Sequence, residues 1–78
     1  MKKKTSQPQE YEIAKIIWAN IRRYQYINQF PDELLAKMIN VTIRMLYSYD
    51  KHPDTINLGK IQNFIDEAKI DIHELLDY

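Results

Sequence analysis

From Ile13 to Leu76 the apolar residues of this chain return every three or four positions with little to interrupt them. Ile13, Ile17, Ile21 and Tyr24 form one row, widened by Ile16. Leu34, Leu35, Met38 and Ile39 form a second, and Leu58, Ile61, Phe64, Ile65 and Ala68 a third. Such a period stacks apolar side chains on one face of an α-helix, whereas a strand needs strict alternation. With one glycine and three prolines available as breakers, the expectation is an all-α chain of five helices. The first runs from Gln9 to about Tyr26, and Phe30 packs near its end. The second runs from Pro31 to Ile39, with Pro31 in the first turn and Asp32 and Glu33 meeting the positive end of the helix dipole.

Asn40 tolerates left-handed backbone and Thr42 is a good N-cap, so Asn40-Val41-Thr42 predicts a sharp turn into a third helix, Ile43 to Asp50. Two short helices joined in this way suggest helix-turn-helix. His52-Pro53-Asp54-Thr55 is expected as a loop, and Asn57 as the cap of a fourth helix ending at Ala68. A fifth follows, with the Asp71 side chain accepting from the Glu74 amide in a capping-box variant and with Ile72, Leu75 and Leu76 closing the core.

Seventy-eight residues suit one domain, read as residues 9–78 behind a flexible basic arm, residues 1–8, that carries Lys2, Lys3 and Lys4. The absence of cysteine rules out a disulfide or a thiolate metal site. No run approaches the roughly 18 apolar residues of a membrane span. The opening MKKKTSQPQ is not followed by the apolar segment of a secretory signal, so a cytoplasmic location is expected. Net charge is zero but uneven. Residues 1–53 hold nine Lys or Arg against five acids, and residues 54–78 hold two against six. Local charge governs attraction to phosphate, so a basic first part permits a nucleic-acid face.

Catalysis finds no support. Ser6 and Ser48 lack an evident base, Gly59 alone cannot cradle phosphate, and His52 and His73 have no further ligands at metal spacing. No cofactor, metal or small-molecule ligand is expected. Trp18 and Tyr11 suit core or dimer contacts, and Asp66-Glu67 a solvated helical face.

The order Leu35-Ala36, Asn40-Val41-Thr42, Leu46, Tyr49-Asp50, then Pro53, Asn57, Leu58, Ile61 and Glu74-Leu75-Leu76 resembles the helix-turn-helix domain of the Cro and CI repressor family, often called XRE. The resemblance spans residues 13–76 and implies a compact five-helix, λ-repressor-like domain. It further implies that Ala36 lets helices two and three approach, that Val41 and Leu46 fill the wedge between them, and that Tyr49 sits against helix four. Asp50 would pair with Arg22 or Arg23. Where the family commonly carries Thr or Ser and then Gln for phosphate and base contacts, this chain has Pro31 and Asp32. A carboxylate there repels phosphate.

The family's DNA-facing positions fall on Thr42, Ile43, Arg44, Tyr47 and Ser48. Arg44 is the strong base reader among them, with Ile43 suited to a thymine methyl. Lys51, His52 and Lys37 would hold phosphates at the rim, and the Lys2 to Lys4 arm would add more. The resemblance thus implies a small phage or mobile-element regulator of a genetic switch that binds operator half-sites in a Cro-like manner, as a homodimer. A second reading stands beside it. Met45 and Leu46 are expected half to fully buried, and Ile43, Met45 and Tyr47 beside the lone charge of Arg44 have the composition of a protein interface. An antirepressor would use that surface to occupy a CI-type repressor and block its DNA binding.

Overall fold

The computed structural model describes residues 9–76, with side chains from Ile13 onward. The arm expected over residues 1–8, with Lys2, Lys3 and Lys4, lies outside the described residues, as does the Tyr11 side chain. Five α-helices follow in order: α1 Gln9–Asn28, α2 Asp32–Ile39, α3 Ile43–Lys51, α4 Leu58–Ala68 and α5 Ile72–Leu76. A short 3-10 helix, Pro53–Thr55, interrupts the stretch expected as a plain loop. Among the described residues there is no strand.

The longest helix is the spine. At 1.5 Å per residue α1 is about 30 Å long. It buries Ile17, Trp18 and Ile21 against α5 and the 3-10 helix, while α2 packs on α3 and α4. Leu35 and Ile39 from α2, Leu46 and Tyr49 from α3, Ile56, Ile61 and Phe64 from the α4 region, and Leu75 from α5 complete one continuous core. Tyr24 sits between Phe30 and Phe64 with edge-on ring contacts at 6.0 and 5.4 Å, the geometry that aromatic quadrupoles prefer.

The helix ends explain the sharp corners. Asn40 adopts left-handed backbone at φ 69°. The Val41 amide donates to the Ala36 carbonyl at 2.9 Å and the Asn40 amide to Lys37 at 3.1 Å, which together make a Schellman turn. Thr42 then caps α3 by accepting from the Met45 amide at 3.1 Å, and Asn57 caps α4 by accepting from Lys60 at 3.0 Å. Two side chains of α4 close the corner from the other side: the Lys60 ammonium donates to the Asn40 carbonyl at 3.0 Å and the Asn63 amide to Ile39 at 3.1 Å.

Several sequence expectations need correction. α1 continues to Asn28 because Gln29, also left-handed at φ 58°, supplies its stop. Pro31 is the N-cap of α2 rather than its first residue, and its carbonyl accepts from Leu34 and Leu35. Leu58 is 81% exposed rather than in the core: at about 100° per residue, Ile61 and Phe64 lie about 60° and 120° round α4 from it. Ile13, Leu34, Ile72 and Leu76 are likewise largely exposed. At α5 the Asp71 carboxylate accepts from the His73 amide at 3.1 Å, not from Glu74, whose amide goes to the Asp71 carbonyl.

A polar latch beside the exposed face of α3

Leu46 and Tyr49, three residues apart, fasten α3 to the core. Helix geometry then directs Arg44, Met45, Tyr47, Ser48 and Lys51 outward, and all five are exposed. Thr42 and His52 are exposed at the two ends of the helix, Lys37 is exposed on α2, and Ile43 is half-buried. Met45, expected half to fully buried, is 43% exposed, on the outer face beside Tyr47. Tyr49 does not stand chiefly against α4. Its ring meets Trp18 of α1 edge-on at 5.3 Å.

Trp18, Arg22 and Gln25 recur at spacings of four and three on one side of α1, and they build a latch among α1, α2 and α3. The Arg22 guanidinium grips Asp50 with Nε at 3.0 Å and Nη2 at 2.7 Å, the two-pronged fit of a planar fork to a carboxylate. The Trp18 indole N–H donates to the same Asp50 at 2.7 Å. Arg22 Nη1 turns the other way, to Gln25 at 2.6 Å and Asp32 at 2.8 Å. Gln25 in turn donates to Asp32 at 2.8 Å and to the Phe30 carbonyl at 3.1 Å. Of the two arginines that the sequence offers Asp50, Arg22 makes the pair.

The latch ends in the candidate surface, where the Tyr47 hydroxyl donates to the second oxygen of Asp32 at 3.0 Å. Each group's acidity follows from its partners. Hydrogen bonds from Gln25, Arg22 and Tyr47 hold the Asp32 carboxyl below the usual carboxylate range. At Asp50, burial pushes upward, but the bonds from Arg22 and Trp18 outweigh it and the carboxyl is held low. Bonding to Asp32 raises the Tyr47 phenol, so Tyr47 keeps its proton on the carboxylate. Asp32 is therefore a fixed negative charge one hydrogen bond away from α3.

The surface carries both signs and a greasy middle. Among the described residues Arg44, Lys51 and Lys37 form no ion pair, and Asp32 and Glu33 open α2 beside them. Gln25 was missed by sequence reasoning. A period of 3.6 already puts Gln25 in line with Trp18 and Arg22, whereas nothing local distinguishes the exposed Met45 from the buried Leu46. Among the described residues no group of His, Cys, Asp or Glu is disposed to hold a metal ion, and no helix is long and apolar enough to cross a membrane. No family model, curated protein or solved structure matches the chain.

Proposed function

We propose that the chain is a small cytoplasmic regulator of a phage or mobile-element genetic switch. It is a λ-repressor-like helix-turn-helix domain of the Cro and CI type that acts through the α3 face, and the partner of that face is a CI-type repressor, bound in the manner of an antirepressor. One observation carries this choice: Tyr47, in the middle of the face, gives its hydroxyl proton to an Asp32 carboxylate that Arg22 and Gln25 hold in place. DNA presents one phosphate charge about every 1.7 Å, and a fixed carboxylate repels it. A repressor's own DNA-contacting surface must be basic for the same reason, so a protein that covers it gains from Asp32 and Glu33. Met45 and Tyr47 add the Met and aromatic surface typical of protein interfaces.

A second reading, direct binding of operator DNA, is favoured by Arg44, Lys51 and Lys37, three exposed cations without carboxylate partners among the described residues. Arginine is the side chain best suited to guanine in the major groove. The two readings separate in one titration of a labelled operator at two salt concentrations, with the chain alone and with the operator's CI-type repressor present. The expected result is no shift by the chain alone and release of the repressor from DNA, weakened in Tyr47→Ala. A salt-sensitive shift by the chain alone, lost in Arg44→Ala, overturns the antirepressor reading in favour of operator binding.

A further inference from the structure

The turn from α1 into α2 opens a cleft that the reading of α3 does not use. Left-handed Gln29 swings the chain round the end of α1, and with Arg22, Gln25, Tyr26, Ile27, Phe30 and Asp32 it lines a space of about 840 Å³. Small-molecule sites are clefts of about 300–1,000 Å³ whose apolar walls carry a few fixed polar groups. This cleft has that make-up. Tyr26 and Ile27 stand 84% and 61% exposed, and Phe30 is half-buried. The Tyr26 side chain has no hydrogen-bond or ring partner among the described residues, so its face is open. The polar groups are held still, because buried Gln25 is bonded to Arg22, to Asp32 and to the Phe30 carbonyl.

The sign of the occupant follows from charge. Arg22 is the cation of the cleft, and its N–H groups are spent on Asp50, Asp32 and Gln25. Two carboxylates answer that single cation, and neighbouring Glu33 is exposed without a cation partner among the described residues. The C-terminal end of α1 adds its negative dipole, while Arg23 lines a separate groove. An ionised carboxylate offers about four acceptor sites. Asp32 uses Oδ1 for Arg22 and Gln25 but Oδ2 for Tyr47 alone, which leaves Oδ2 with one site open.

We infer that the α1/α2 cleft binds a small organic cation, an ammonium or guanidinium on an apolar stem, with its charge on Asp32 and its stem against Tyr26 and Phe30. Aromatic faces attract a cation through the ring quadrupole, and Ile27 supplies further apolar contact. An anion would meet Asp32 with no free cation to pair it. The occupant shares Oδ2 with the Tyr47 hydroxyl, so a filled cleft is felt on α3.

NMR titration of the isotope-labelled protein with phenethylammonium tests this. It needs neither DNA nor a repressor, so its outcome is independent of what α3 binds. The expected result is saturable shifts at the amides of Tyr26, Gln29 and Asp32, with a dissociation constant of about 1 mM or below. Hydrocinnamate, an anion of similar shape, and phenethyl alcohol, a neutral counterpart, should bind more weakly by about tenfold or more. Tyr26→Ala should weaken the cation about fivefold with unchanged melting, since Tyr26 takes no part in the latch. Asp32→Asn should weaken it by about tenfold. Absence of saturable shifts up to about 10 mM overturns the proposal. So do equal affinities for the three probes, indifference to Tyr26→Ala, or shifts confined to α3.

Discussion

At the scale of single residues, Asp50 ties α1 to α3 with three donors on one carboxylate: two from Arg22 and one from Trp18. Bonds to a charged group contribute about 1.5–3 kcal/mol each when they replace water. The partial exposure of this carboxylate, 40% against 25% for Arg22, places the pair at the weaker end of that scale. Asp50→Asn is expected to cost about 2 kcal/mol at pH 7, read by urea unfolding. The loss should depend on pH. The folded carboxyl titrates below its ordinary value of 3.8, so its stabilisation is complete above that value and disappears as pH falls through the lower, folded one. Asp32, shifted in the same direction, adds to the wild-type acid limb. The gap between wild type and Asp50→Asn should therefore narrow as pH falls below about 4. A gap independent of pH would mean that the amide disturbs packing rather than charge.

At the scale of elements, α1, α2 and α4 all stop on non-glycine residues with positive φ: Gln29 at 58°, Asn40 at 69° and Lys69 at 59°. Left-handed backbone costs an L-residue roughly 1–2 kcal/mol, less for asparagine. Lys69→Gly should accordingly raise stability by about 1 kcal/mol, or about 5 °C in melting temperature. Asn40→Ala should lower it by a similar amount, and calorimetry of the two variants checks both signs. These ends also show what local sequence can and cannot reveal. Asn40, Thr42 and Asn57 announce themselves because their short polar side chains favour these backbone positions whatever surrounds them. Gln29 carries no such mark, since glutamine has no local preference for left-handed backbone; its turn delivers Phe30 to an edge-on contact with Tyr24. The apolar period located the helices but not their outward residues. Leu58 and Met45 have the hydrophobicity of core positions, and only the placement of neighbouring helices leaves them uncovered.

At the scale of the molecule, one small core is shared by every helix, and Phe64 sits at 0% exposure within it under Tyr24. A domain of this length has about 4–12 kcal/mol of stability in total, and Phe→Ala in a core removes about 3–5 kcal/mol. Phe64→Ala is therefore expected to lower the melting temperature by about 20 °C, as followed by circular dichroism. A smaller shift would mean that the cavity collapses without harm. Arg22 with Asp50 was legible from the family resemblance, but the extension of that pair through Gln25 and Asp32 to Tyr47 was not. It joins residues 15 apart in sequence, and no local pattern encodes such a meeting.

The two bonds from Lys60 and Asn63 to the carbonyls of Asn40 and Ile39 bear on how α3 meets anything at all. Because α4 grips the corner from which α3 departs, the helix is held at its angle before any encounter. A loop ordered only on contact would subtract its lost freedom from the affinity, about 1–2 kcal/mol for each residue immobilised. This corner has surrendered that freedom already, during folding, so α3 would meet any partner of the proposed kind as a rigid rod.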